Sequence, residues 1–561
     1  MTRKDYVIKN WETGIYALFI GFALVFISCD DSGNGSKTGT TPIFGTGDDI
    51  QTMIDAAKSG DTITIPNGTY TVTKMIFLKS EITLKGESQD NVCLEVPYMS
   101  QDDNFGSVFE IPSMANNIEI SYITFLGNDS FAVYSVIHMI NAENIKIHHV
   151  TIKNFDGDTK GIFAGYGNAT EHSRNIEISN CVVDSIGPSL GIGSEPSVQP
   201  TGIMFDGYHT GITIQDNVVK NIGFCGIKIA SNCTDISIKR NIVKDMYYKS
   251  LDNDGCDIEL WGYCSNAVVE DNEIDYWLSV DYSSYVAVRR NTIGKNATGT
   301  NYVALELAGT CTNNIFTDNV LAGKHKAGIG IWGHEEGFGA SYSYFSRNSV
   351  SDMSGYGVLI ASVWQNTANK GNKYLFFKDC DFTGTKKGGE WGNGSGIGFW
   401  STSDYITFDN CRISNNAGYG AVFQDWVDEN HTDHLSFVNC TIKNNNDGVF
   451  NHHSNYTAFE FQGGTVDGDI LSQKPFNNEK PVVVITGSDS GSVGASITFT
   501  SNSSVSHGSA GHILWDLDDS FPLNGDSVTH TYAKAGTYKV TLIIWDNDGR
   551  GSVAEKTVTI R

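Results

Sequence analysis

A short pattern, apolar-x-apolar-x-x-Asn/Cys-x-apolar, returns along most of this 561-residue chain and leaves few folds open to it. It reads Ile212-Thr-Ile-Gln-Asp-Asn217-Val-Val, Ile236-Ser-Ile-Lys-Arg-Asn241-Ile-Val, Ala267-Val-Val-Glu-Asp-Asn272-Glu-Ile and Ile406-Thr-Phe-Asp-Asn-Cys411-Arg-Ile. Taking the first apolar residue as phase, repeats begin at 82, 118, 145, 176, 212, 236, 267, 286, 314, 343, 375, 406, 435 and 459, a mean step of 29 residues. Apolar residues alternate, the segments are β-branched, and no repeat has room for a long helix, so each is read as short strands joined by turns. One such unit cannot bury its own apolar face; stacked units can.

Period and alternation together resemble the right-handed parallel β-helix of pectate-lyase-like, polysaccharide-active proteins, over about residues 45–470. The resemblance implies an all-β fold of about fourteen coils. Its opening, Ile50-Gln-Thr-Met-Ile-Asp-Ala-Ala-Lys-Ser-Gly-Asp-Thr-Ile-Thr-Ile-Pro-Asn-Gly-Thr-Tyr70, is similar to that family's start, where an amphipathic helix caps the first coil. An uncovered terminal coil would be an edge inviting aggregation.

The register sorts residues into ladders about 4.8 Å apart. The sixth position holds Cys181, Asn217, Asn241, Asn272, Asn291, Asn319, Asn348, Cys380, Cys411 and Cys440, and three positions before the phase residue fall Cys233, Cys264 and Cys311. Six stacked asparagines can bond amide to amide along the axis and satisfy buried turn backbone. A linear stack of cysteines offers no tetrahedral ligand set, so free buried thiols are expected. Cys93, Cys225 and Cys256 fall outside both ladders. At the fifth position Asp216, Arg240, Asp271, Arg290, Asp318, Arg347 and Asp379 alternate in sign, as a surface salt-bridge ladder would. His209 sits at the position of the second cysteine ladder and is read as a turn residue. The pair His148-His149 is expected to point its side chains apart.

The second strand of each coil carries the candidate chemistry. Its outward positions are read as Met204, Lys228, Glu259, Asp281, Glu306, Gly330, Leu359 and Gly398, with Asp257 and Trp261 flanking Glu259 on the same face. Asp257, Glu259, Asp281, Glu306 and Lys228 then converge as a candidate catalytic set, Asp281 being placed by a coil of only 19 residues. Residues two apart on a strand are separated by roughly 6.5–7 Å, a spacing at which one carboxyl protonates a glycosidic oxygen and another activates water. Crowded carboxylates raise each other's pKa and supply that acid near neutrality. Insertions at 187–201, 245–255, 333–342, 362–374 and 425–434 are expected to wall a groove. Trp261, Trp332, Trp364, Trp400 and Trp426 are then available to stack on sugar rings, and His334, beside Glu335 and Glu336, to serve as a base or substrate contact.

The Asp257-Ile-Glu259 pair resembles, in reversed order, the Glu-x-Asp pair of iota-carrageenases, which implies glycoside hydrolysis with no cofactor. It also resembles the calcium-binding Glu-x-Glu strand of the alginate lyase and chondroitinase B family. That likeness implies a calcium-dependent lyase or a uronate epimerase, with Asp257, Glu259 and Glu306 as ligands. Where that family has a Lys, this chain has Cys264, and Lys228 is the available substitute. A third reading, from a different class, is a non-catalytic glycan-binding or adhesion surface.

Arg3 and Lys4 precede an apolar stretch from Ile15 to Ile27, too short to span a bilayer, that ends Val25-Phe26-Ile27-Ser28-Cys29. It resembles a bacterial lipobox. The resemblance implies a signal peptide over 1–28, lipidation of Cys29, a tether over 29–44 and an exported, envelope-anchored protein that meets the membrane only through its lipid. After a linker at 471–480, residues 481–561 hold Trp515-Asp-Leu-Asp-Asp, His530-Thr-Tyr-Ala-Lys-Ala-Gly-Thr-Tyr and Asp546-Asn-Asp-Gly549. These resemble the PKD module, a small β-sandwich, with Leu517 and Ser520 departing from its usual turn. Lys plus Arg total 38 against 64 Asp plus Glu, and a net charge of −26 repels nucleic acid. The expected partner is a polysaccharide, and the expected state a monomer.

Overall fold

The computed structural model describes residues 43–561 except 90, 100–105, 130, 188–198, 247–255, 296–301, 334–338, 362–370, 389–391, 401–402, 424–431, 452–458, 471–472, 476–478 and 507–509. The repeats stack as a parallel β-helix. A 29-stranded sheet wraps two of its faces, and a 14-stranded sheet, one strand per coil, forms the third. Phase residues pair with their successors, as in Ile176↔Ile212, Ile212↔Ile236 and Ile236↔Ala267. One continuous core of inward Ile, Val, Leu and Phe runs through the stack. In its later coils the inward ladder becomes aromatic, with Phe345, Phe377, Phe408 and Phe437 stacked at 4.5–5.1 Å between ring centroids.

The capping helix spans Gly47–Ala56 and lays Ile50 and Ile54 into the core. It starts three residues before Ile50 because Thr46 and Asp49 close a capping box: the Thr46 hydroxyl accepts from the Asp49 N–H, and the Asp49 carboxylate accepts from the Thr46 N–H at 2.7 Å. At the other end, Lys474, within the segment read as a linker, exchanges both backbone hydrogen bonds with Phe459 of the last coil.

The asparagine ladder forms as a chain. The Nδ2 of Asn217, Asn241, Asn272, Asn291 and Asn319 each donates to the Oδ1 of the next asparagine at 2.9–3.0 Å, and each Oδ1 also accepts the preceding residue's backbone N–H. The seven cysteines of the two ladders are free thiols and buried. In the charged ladder Arg240–Asp216, Arg290–Asp271 and Arg347–Asp318 pair at 2.7–3.0 Å. His209 is buried, accepts the Ser173 N–H on Nδ1 at 2.9 Å and is held by burial at a pKa of about 4, as a turn residue. His148 and His149 do not point apart: their Nδ1 atoms are 2.9 Å from one another, because His149 takes φ +52° and breaks the strand alternation.

The C-terminal sandwich packs a three-stranded sheet on a five-stranded one around Trp515, Leu517, Tyr532 and Leu542. It docks on the flank of the β-helix. Ile315, Tyr344 and Phe376 of the helix bury against Leu514, Ile543 and Trp545 of the sandwich. Within this contact the fully buried Arg289 donates to Asp516 at 2.5 Å and to the Ser520 carbonyl at 2.7 Å.

Candidate active site

Four adjacent strands of the third face, Cys225–Ala230, Ile258–Trp261, Leu278–Asp281 and Val303–Ala308, form the floor of the site. Ile227, Ile258, Leu278 and Leu305 turn into the core. Lys228, Glu259, Ser279 and Glu306 form one outward row, and Ala230, Trp261, Asp281 and Ala308 the next. The spacing of the short coil placed Asp281 in the first row; Ser279 takes that place, and Asp281 stands opposite Trp261. A shift of two residues is one strand period, so Asp281 keeps the same face. With Met204, Phe224, Trp277 and Tyr302, all of these side chains but Ala308 line a cavity of about 530 Å³.

Lys228 and Glu259 are a close pair, Nζ to Oε2 2.7 Å, with the ammonium 5.5 Å from the Phe224 ring centre and 5.6 Å from that of Trp261. Burial alone would pull the Lys228 pKa down; the Glu259 carboxylate outweighs it and holds the lysine charged. Glu306 receives three donors: Ser279 Oγ to Oε2 at 2.7 Å, Tyr302 Oη to Oε1 at 2.7 Å and Trp332 Nε1 to Oε1 at 2.5 Å. Asp281 is different. Burial, then the charges of Glu306 and Glu259, lift its carboxyl to about 7, so a proton remains on it near neutrality.

Asp257 does not join this group. It precedes the strand at the step where the previous coil has Gly226, and a Cβ on Gly226 would meet the core side chain Val243 at 2.4 Å. Alternation is interrupted there, and Asp257 turns away from Glu259. Its Oδ2 accepts the backbone N–H groups of Tyr276 and Trp277, both at 2.8 Å, so it ties one coil to the next. Full burial lifts this carboxyl to about 8, against those two hydrogen bonds.

The tryptophans divide. Trp261 is 42% exposed at the cavity rim, open to a ligand. Trp332, expected to stack on sugar, lies over Gly330, where an added Cβ would come within 2.5 Å of the indole, and it spends its N–H on Glu306. Trp400 donates to Tyr356 Oη at 3.2 Å and packs edge-on against that ring. His334, Trp364, Trp426 and the lipidation candidate Cys29 lie outside the described residues.

Ser279, Trp277 and Tyr302 were not read from the sequence. Ser279 was hidden by the register of the short coil. Tyr302 stands four residues before Glu306, a spacing that keeps both on one side of a strand, and this was the available signal.

A calcium ion held by Asp257, Glu259 and Glu306 does not fit. Asp257 turns to backbone donors away from Glu259, and Glu306 is taken up by three donors, whereas calcium takes six to eight oxygens converging on one point.

Residues 196–341 match the family model for the right handed beta helix region, and residues 478–561 that for the PKD domain. The microbial collagenase of Vibrio alginolyticus is 39% identical over 85 residues, 15% of this chain; the chain thus spans about a tenth of that relative's length. Similar solved structures include an alginate lyase in complex with a trisaccharide (12% identity, 79% of this chain and 90% of that one, TM-score 0.33). Another is the catalytic unit of an alpha-1,3-glucanase from Streptomyces thermodiastaticus (12% identity, 78% and 69%, TM-score 0.30).

Proposed function

We propose that the cleft hydrolyses glycosidic bonds of a polysaccharide. The observation that carries this reading is a pair of carboxyl groups on neighbouring coils in opposite surroundings. Glu306 is addressed by three donors, the setting of an anion; Asp281 is buried beside two carboxylates, the setting of an acid. Two carboxyls in such different surroundings supply the acid and the base of glycoside hydrolysis. Asp281 protonates the leaving oxygen. Glu306 takes a proton from water through Oε2, which has Ser279 as its donor and a second lone pair free. Lys228 donates to substrate hydroxyls while neutralising Glu259, and Trp261 offers its face to a sugar ring, with exposed Tyr208 and Tyr263 continuing an aromatic margin.

Charge selects the substrate class. Lys228 is matched by Glu259, which leaves Glu306 and Asp206 as surplus acid around the cavity. A uronic or sulfated chain would be repelled, so a neutral polysaccharide is favoured. Assays of new reducing ends on neutral and on uronic polysaccharides test this. Release from a neutral glycan without the ultraviolet absorbance of unsaturated uronic ends is expected; cleavage confined to uronic glycans with that absorbance would overturn hydrolysis in favour of elimination. The lipobox-like segment supports export with an anchor at Cys29. Metabolic labelling with palmitate should mark the protein and fail after Cys29→Ala; an unlabelled native chain would remove the anchor.

A further inference from the structure

Two of the three cysteines that fall outside the ladders, Cys225 and Cys256, meet beneath the floor of the cleft. They occupy the same step of adjacent coils, two residues before the paired Ile227 and Ile258. The interruption that turns Asp257 away puts Cys256 and Glu259 on one side of the strand. The sulfur atoms of Cys225 and Cys256 and a Glu259 oxygen all lie within 4.8 Å of one another, and all three residues are buried. We infer that Cys225, Cys256 and Glu259 form a binding site for one thiophilic divalent ion of the Zn²⁺ or Cd²⁺ class.

Geometry supports a three-ligand set. A tetrahedral ion with metal–sulfur bonds near 2.3 Å needs ligand atoms about 3.8 Å apart, so the triangle has to contract by about 1 Å at most. The cysteine ladders cannot do this, because a third sulfur in a linear stack is two coil spacings away; among the described residues this trio alone brings three such groups together. Charge supports it equally. Each thiol loses its proton to solvent as a metal–sulfur bond forms, so one divalent ion replaces two protons and no electron is transferred. Lys228 and Glu259 already balance, and the buried site keeps its net charge through the exchange, which avoids the cost of an unpaired buried ion. Glu259 lines the cavity and Cys225 and Cys256 do not, so the ion enters from the cleft and keeps its fourth position toward solvent. Binding draws a Glu259 oxygen into competition with Lys228. This site stands whether or not the cleft hydrolyses glycans.

Titration of the reduced full-length chain with cadmium chloride tests it, read by the ultraviolet cadmium–thiolate absorption. Saturation at one ion per chain is expected, with loss of the band in the Cys225→Ser/Cys256→Ser variant and its retention in Cys411→Ser. A band that survives the double substitution, or none in the native chain, would overturn the site. X-ray absorption of the native zinc complex is independent of how well any variant folds. Two sulfur neighbours near 2.3 Å with lighter atoms completing the shell are expected; a shell of oxygen or nitrogen alone would contradict the assignment.

Discussion

Asp257 and Asp281 carry the same carboxyl group, both lifted by burial, to about 8 and about 7, yet only Asp281 faces the cleft. Their variants should therefore separate. Asp281→Asn should lower kcat by about 10²–10⁴-fold, the range for loss of a general acid. If the cleft hydrolyses glycans as proposed, kcat/KM of the native protein should fall as pH rises through about 7, where Asp281 loses its proton. Glu259→Gln should move that limb to lower pH, since it deletes a charge that raises Asp281 and releases Lys228, which lowers it. A limb that stays in place would exclude Asp281 as its source. Asp257 should report on stability instead. Its folded pKa lies above its unfolded one, so the stability it contributes is complete below about pH 4 and is lost as pH rises toward about 8, by up to about 1.4 kcal/mol per unit. Urea unfolding across that window should show the slope in the native chain and not in Asp257→Asn, which should keep its activity. The row of Lys228, Glu259 and Glu306 was legible from alternation alone. The departure of Asp257 was not, because it depends on a backbone irregularity at the coil corner that shows in the sequence as glycine at 161, 202, 226, 328, 357, 396 and 420 on other coils.

The ladders are where strand-level order is decided. In Asn272→Ala, the backbone N–H of Asn241 and the carbonyl of Ile238 lose their side-chain partners deep in the stack. Each orphaned group costs roughly 1–3 kcal/mol, so denaturant unfolding should show a loss of about 2–6 kcal/mol, far beyond that of an exposed Asn→Ala change. A second ladder explains how the sandwich finds its place. From the repeat at 118 to that at 435, the residue before the phase residue takes positive φ: Asn117, Asn144, Asn175, Gly211, Asp235 and Asn266, then Tyr285, Asn313, Tyr342, Tyr374, Tyr405 and His434. The early members are the types that tolerate left-handed backbone; tyrosine is not. The tyrosines occur where the sandwich docks. Tyr285 hydrogen-bonds Asn524, Tyr342 stacks on His512 at 4.0 Å, and a Cβ on Gly549 would collide with Tyr405 at 2.2 Å. The change from Asn to Tyr is visible in the sequence, but it signals a contact only once that position is known to be left-handed. The third strand of each coil, often two or three residues such as Glu273–Ile274, is too short to show a period.

At the scale of the molecule, the sandwich braces the β-helix. Arg289, fully buried, depends on Asp516 and Ser520 across the contact, and Arg347 reaches Glu555 at 3.0 Å. Removing one partner of a buried ion pair typically costs 3–5 kcal/mol. Calorimetry should therefore find one joint transition in the native chain and a lower or divided one in Asp516→Ala; an unchanged single transition would mean that the contact carries no stability. The same brace holds the coils that present Glu306 and Trp332, so the cleft and the sandwich belong to one packed body. Whether that cleft is a hydrolase is tested most directly by digesting a neutral polysaccharide in heavy-oxygen water and weighing the products. Hydrolysis with Asp281 as acid predicts one solvent oxygen at each new reducing end and almost no product from Asp281→Asn. Unsaturated products without solvent oxygen, or undiminished product from Asp281→Asn, would contradict it.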